Sequence, residues 1–418
     1  MFLVLNGGPG DDPLIGTTSD DVLNGLGGDD TLLGLDGSDE LFGGSGNDSI
    51  NPGENDGSGD GVEAGTGNDT IDFVDIVQGW VGLNHFELSE PITVNIDGLA
   101  NTGSIATASQ GVDTLLDVAN PLVSGWTTGG LSVRGTGGDD SFTINTDFQQ
   151  WGELVGLGGN DSFTITGNGL IRLGYHFSNG AVTADLGAGT IQQDGFTDTV
   201  TGHAWEIRAG NGNDSLLGSA GDESFIGQGG NDTIDGADGF DRVRYDRTGY
   251  SGVDVDLAAG TAQGSWNGGA FTDHLSNIEW VRGSAFADDI FGDINDNKLE
   301  GRDGDDFIRG RGGDDTLLGD AGNDTLVADT GDDVATGGNG ADIFAFIVGG
   351  NDTLSITDFE PGVDDLALVG LPSGFTATDL LPFVSQIGAD VVIAAGNQVV
   401  RFENTLLSDL SASDVIFV

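Results

Sequence analysis

The feature that most constrains this chain is a nine-residue period. Aligned on Gly-x-x-Gly-x-Asp, it runs unbroken through GGPGDDPLI from Gly7, GTTSDDVLN from Gly16, GLGGDDTLL from Gly25, GLDGSDELF from Gly34 and GGSGNDSIN from Gly43. A degenerate Gly-rich insertion, Pro52 to Glu63, precedes AGTGNDTID from Ala64. Isolated copies begin at Gly135 and Gly156, four units run from Ala209 to Arg244, and seven run from Gly283 to Ala345. The sixth position is Asp in seventeen of these nineteen units, with Glu223 and Asn297 in the other two. The alignment rests on Gly and Asp, so the eighth position tests it separately. It is apolar in all nineteen, which a 37% hydrophobic content would produce by chance about once in 10⁸.

A period of this length selects a repeat architecture. Each unit divides into six turn residues and an x-apolar-x triplet, a minimal strand with one inward side chain. One turn reverses the chain, so two units make a full coil, and side chains eighteen residues apart stack at the inter-strand spacing. In the longest block, Asp288, Asp306, Asp324 and Asp342 then form one column and Asn297, Asp315 and Asp333 the opposite one. Two bare carboxylates that close repel by roughly 3 kcal/mol at an effective dielectric near 20. Such a column needs cations between its members. A ligand set of carboxylate and turn carbonyl oxygens, with no thiol and no nearby imidazole, suits Ca²⁺ better than Mg²⁺.

Composition supports the same reading. Sixty-nine acidic residues against 12 basic ones give a net charge of −57, which repels nucleic acid and anionic membrane surfaces. With no Cys, disulfides and thiolate metal sites are excluded. The opening MFLVLNGGPG is too short for a Sec signal peptide, and no apolar stretch is long enough for a membrane span.

These residues resemble the RTX (repeat-in-toxin, haemolysin-type) family, whose nonapeptide is a calcium-binding β-helix repeat. The resemblance implies several Ca²⁺ ions, each between turns n and n+2. It implies pairs at Asp12/Asp30, Asp30/Asp48, Asp21/Asp39, Asp214/Asp232 and Glu223/Asp241, and successive pairs within the two columns above. Asp69 belongs to the same set. Asp140 and Asp161 lie in units without contiguous partners, so calcium is not expected there.

The expected fold is all-β, with parallel β-roll repeats stacked around Ca²⁺, β-rich spacers between them and a C-terminal strand cap. The expected divisions are 1–72 (first β-roll), 73–208 (spacer with isolated units), 209–244 (second block), 245–282 (spacer), 283–345 (main β-roll) and 346–418 (cap). VTADLGAGTI from Val182, VDVDLAAGTA from Val253 and the weaker ITVNIDGLAN from Ile92 mark repeated spacers of short alternating strands. Arg134, Arg208 and Arg282 occupy equivalent spacer–repeat junctions, where pairing with turn carboxylates is expected. After Ala345 the turn pattern stops. The segment from Asn351 resembles the one that follows RTX repeats in serralysin-type proteins, and VVIAAGNQVVRF reads as a hairpin across Gly396-Asn397. The ending Asp414-Val415-Ile416-Phe417-Val418 resembles the uncleaved signal read by type I secretion systems.

No HExxH pair is found among His85, His176, His203 and His274, and no GxSxG elbow occurs. The expectation is a secreted, extracellular, non-enzymatic structural or binding protein. The alternative is the folding-and-secretion module of a hydrolase or polysaccharide-modifying enzyme. Trp80, Trp126, Trp151, Trp205, Trp266 and Trp280 lie outside the repeats. An exposed row of them would grip polysaccharide on a cell surface, whereas buried ones fill a core.

Overall fold

The computed structural model describes residues 2–418 apart from 55–58, 77–78, 86–87, 89, 110, 120–128, 148–150, 179 and 350–351. The chain divides into two compact units, Met1–Asn211 and Gly212–Val418. Each is built almost wholly from short strands that alternate between two parallel ladders.

In the amino-terminal unit, Leu3–Asn6, Asp21–Gly27, Glu40–Ser45 and Asp60–Thr66 form one ladder. Pro13–Ile15, Thr31–Leu33, Ser49–Asn51 and Thr70–Asp72 form the facing one. Paired residues such as Leu5/Leu23 and Leu14/Leu32 are eighteen apart. The carboxy-terminal unit repeats the plan. Trp280–Arg282, Lys298–Asp303, Thr316–Ala321 and Asp332–Asn339 stack on one side, and Asp289–Phe291, Phe307–Arg309, Thr325–Ala328 and Ile343–Ile347 on the other.

One side chain per triplet makes the core. All nineteen eighth-position residues are buried, Leu14 being the most accessible at 7%. The turns are set by left-handed backbone at two positions. The fourth is glycine where this is most extreme, as at Gly322 with φ +146°. The second takes ordinary residues into the same region: Leu26 (φ 73°), Leu35 (77°), Arg302 (87°) and Arg311 (75°). An L-residue bears a steric cost there that glycine avoids.

The spacers are three-stranded antiparallel meanders inserted into one ladder. Thr233–Asp235 pairs in parallel with Gly269–Ser276, the meander's third strand, which runs antiparallel to Thr261–Trp266. That strand in turn pairs with the first, Asp254–Asp256, from which the parallel ladder resumes at Asp289–Phe291. Ile92–Asp97, Thr102–Thr107 and Gly111–Leu116 repeat the arrangement, as do Thr183–Asp185, Thr190–Gln193 and Phe196–Thr201.

Two expectations change here. The units at Gly135 and Gly156 are not isolated: Ser141–Thr146 and Ser162–Gly167 pair in register, with Phe142 stacked on Phe163 at 5.0 Å. Residues between them supply the intervening opposite strand, Trp151–Val155, without the repeat motif. The junction arginines also differ from expectation. Arg208 lies 4.0 Å from Glu153 and Arg282 lies 3.3 Å from Glu300 and 3.4 Å from Asp246, so they meet carboxylates outside the sixth-position columns. Arg134 sits over the Phe177 ring.

Beyond Ala345 the ladders continue. Ile343–Ile347 pairs with Asp365–Val369 and that strand with Val415–Phe417, so the chain's last residues form a strand. Asp390–Ala395 and Gln398–Phe402 form the expected hairpin around Gly396-Asn397.

Candidate metal columns

The sixth-position side chains stack in columns joined by one recurring hydrogen bond. The backbone amide of each donates to the carboxylate of its counterpart one coil later. Asp12 donates to Asp30, Asp30 to Asp48 and Asp48 to Asp69, at 2.8, 2.8 and 2.7 Å. On the facing side Asp21 donates to Asp39 at 2.8 Å. In the carboxy-terminal unit Asp214 donates to Asp232 at 2.8 Å and Glu223 to Asp241 at 2.7 Å. Asp288, Asp306, Asp324 and Asp342 are linked successively at 2.8 Å, and Asn297, Asp315 and Asp333 at 2.8 and 2.9 Å.

One carboxylate oxygen is thereby spent on the backbone. The other, Oδ2, is buried and without a hydrogen-bond partner at Asp30, Asp39, Asp48, Asp69, Asp161, Asp232, Asp241, Asp306, Asp324 and Asp342. At Asp12, Asp21, Asp140 and Asp288 a backbone amide of the same turn meets that oxygen. Leaving so many other buried carboxylate oxygens unmet is costly and is a demand for cations. Burial pushes Asp306, Asp161 and Asp232 up to about 8, with neighbouring carboxylates adding to the rise. Asp39 and Asp69 rise to about 7, and Asp48 and Asp324 to about 6, for the same leading reason.

The donor set fits Ca²⁺. Among the described residues no three carboxylates or imidazoles converge as a ready-made metal cluster, so backbone carbonyls must complete each coordination sphere. The turns bring them close. A Cβ on Gly25 would collide with both the carbonyl oxygen of Gly43 and the unmet Asp30 Oδ2. Carboxylate, carbonyl and glycine thus border one small gap that a side chain would fill. Oxygen-only ligands in a turn of this kind suit a hard cation with flexible coordination. Asn297 departs from the pattern: its amide oxygen accepts from Asp293 and its NH₂ group is buried without a partner. An NH₂ donor cannot ligate a cation.

The ladder includes carboxylates that the repeat alignment omitted. Asp39 donates to Asp60, which closes the degenerate insertion, and Asp69 donates to Asp113. Asp140 donates to Asp161 and Asp161 to Asp198, at 2.8 and 2.9 Å, which places both formerly isolated units inside a column. Asp232 donates to Asp273, Asp241 to Glu279 and Asp342 to Asp364. Asp60 and Asp364 carry a legible signal, an Asp two residues before a buried apolar one in GSGDGV and PGVDDL. Asp113 follows the left-handed Gly111 and precedes buried Leu115 by two residues each, as in a repeat, whereas Asp198 and Asp273 lie mid-strand in TDT and TDH with no such glycine two residues before them.

The tryptophans form no common exposed row among the described residues. Trp151 is fully buried, with Trp80 edge-on at 4.2 Å. Flanking strands put Arg242 4.5 Å and Lys298 3.9 Å from the Trp280 ring centre, and Trp266 packs on Tyr250 at 4.6 Å. Trp126 lies outside the described residues.

A family model described as the RTX calcium-binding nonapeptide repeat matches residues 6–41, 25–58, 208–243, 282–317, 291–326 and 318–346. No curated protein matches the chain. Among solved structures it is similar to the extracellular lipase of Serratia marcescens, at 20% identity and a TM-score of 0.28. That similarity covers 67% of this chain and 45% of the lipase, so the chain spans less than half of that protein. It is also similar to a subunit of the mannuronan C5-epimerase of Azotobacter vinelandii, at 26% identity and a TM-score of 0.20, covering 32% of this chain and 79% of that one.

Proposed function

We propose that this chain, which carries the RTX calcium-binding nonapeptide repeat, is a secreted bacterial protein that folds on meeting extracellular calcium. The carrying observation is the run of buried Oδ2 atoms without a hydrogen-bond partner along the columns, at Asp30, Asp39, Asp48 and Asp69 and at Asp306, Asp324 and Asp342. In a calcium-poor cytosol the −57 chain repels itself along these columns and remains unfolded, a state that a type I secretion apparatus can pass. Outside, Ca²⁺ binds only the native arrangement and stabilises it by mass action.

The role once folded is structural or binding rather than catalytic. The sixth-position carboxylates give one oxygen to the backbone ladder and the other to a turn donor or, where it is unmet, to a cation, which leaves them no part in acid–base chemistry. An extracellular polysaccharide or cell surface is the partner class in view. Counting bound Ca²⁺ by equilibrium dialysis tests the reading. Several ions per chain that exchange with EGTA support it; none bound at millimolar Ca²⁺ rejects it.

A further inference from the structure

Three ladder carboxylates, Asp113, Asp198 and Asp273, come from meander strands rather than from repeats. All three accept the amide of the preceding column member as a repeat Asp does. They differ in what meets the remaining oxygen. Asp198 Oδ2 accepts the Tyr175 hydroxyl at 3.0 Å and lies 3.5 Å from Gln193 Nε2. Asp273 Oδ2 accepts the Tyr245 hydroxyl at 3.3 Å. Both tyrosines are buried.

Their place in the repeat is telling. Tyr175 follows Arg172-Leu173-Gly174 and Tyr245 follows Arg242-Val243-Arg244, each an x-apolar-x triplet, so each stands where the next repeat would begin with glycine. The backbone agrees. The Tyr175 amide donates to the Arg208 carbonyl and the Tyr245 amide to the Arg282 carbonyl, the bond that Gly283 makes to Glu300. At Gly156 and Gly227 a Cβ would collide with the carboxylates of Asp161 and Asp232. Tyrosine at this position instead sends a phenol to the carboxylate.

We infer that Tyr175 and Tyr245 terminate the calcium columns: their hydroxyls take the oxygen of Asp198 and Asp273 that a cation would need. The columns thus end without metal at both meanders, and a spacer closes a calcium-bearing stack with a neutral donor. Asp113 has no such phenol beside it: the strands paired with its own, Thr102–Thr107 and Thr70–Asp72, contain no tyrosine. The Asp69–Asp113 step therefore remains open to a cation.

The inference rests on the calcium reading above, and calcium counts by equilibrium dialysis on the full chain separate the two. Asp198→Asn and Asp273→Asn keep one oxygen for the ladder amide and turn an NH₂ donor to the phenol oxygen, and are expected to leave the count unchanged, while Asp113→Asn and Asp306→Asn each lower it. Tyr175→Phe and Tyr245→Phe free one carboxylate oxygen and are each expected to raise it by one. A loss of calcium on Asp198→Asn or Asp273→Asn, or an unchanged count in both Phe variants, overturns the inference while the columns stand. An unchanged count in Asp306→Asn removes the columns themselves, and the tyrosine stops with them.

Discussion

The backbone amide of Asp306 donates to the carboxylate of Asp324 at 2.8 Å, eighteen residues on, and leaves Asp324 Oδ2 buried with no partner. The same bond orients the successive sixth-position side chains along each column. The peptide holds the carboxylate by one oxygen, and the other faces the space between coils. What remains missing is charge.

Removing a column member should therefore weaken calcium-induced folding wherever the column runs. Asp306→Ala and Asp324→Ala each remove a carboxylate flanked on both sides and should raise the Ca²⁺ midpoint by about tenfold or more. Asp161→Ala should raise it too, but less, because Asp161 continues the column from Asp140 while Tyr175 stops it at Asp198. Circular dichroism across a calcium titration measures all three midpoints. An unshifted Asp161→Ala midpoint would return that unit to the isolated status its sequence suggests.

Acid should substitute in part for calcium. The folded carboxylates lie above their ordinary value of 3.8, up to about 8 for Asp306 and about 7 for Asp39, mainly through burial. A raised folded value favours the fold below the unfolded pKa, and that contribution is lost as pH rises through the folded one. Without calcium, β-structure should thus be greatest near pH 4 and decline between about pH 6 and 8. With calcium, binding near pH 7 should release protons, and affinity should fall as the solution is acidified. A pH series of spectra in EGTA checks the first statement, and calorimetry in buffers of different ionisation enthalpy the second.

Asn297 interrupts its column with an NH₂ group that has no partner. Asn297→Asp should restore an oxygen beside Asp315 and lower the calcium midpoint in a titration followed by circular dichroism.

The turns offer opposite tests of backbone strain. Leu26→Gly places glycine at φ 73° and should stabilise the calcium-loaded fold by about 0.5–1 kcal/mol. Gly322→Ala puts a Cβ into the carbonyl of Gly304 at φ +146° and should abolish cooperative folding of the carboxy-terminal unit. Thermal melts in excess calcium distinguish the two directions.

The repeat blocks were legible because two signals repeat together, Asp at the sixth position and an inward apolar residue at the eighth. Leu23, Leu299 and Phe344 could be placed in the core from spacing alone. The meanders were not, because their ladder aspartates stand in alternating strands where Asp198 and Asp273 look like solvent-facing residues. Their inward role arises from pairing with a strand 37 or 41 residues earlier, a separation that no local period encodes. The Asp140–Asp161 contact was hidden by the intervening strand Trp151–Val155, which supplies the facing side without the motif. The junction arginines were readable as a set, but their partners depend on which strands become neighbours.

The most direct test is a calcium titration of the purified full chain, followed by far-ultraviolet circular dichroism at pH 7.5 and physiological salt. The account predicts a coil spectrum in EGTA that converts cooperatively to β-structure as free Ca²⁺ approaches millimolar, and returns to coil when the metal is chelated. Mg²⁺ at the same concentration should leave the coil largely unchanged. A fully formed β spectrum in EGTA at this pH, unaltered by calcium, would contradict it.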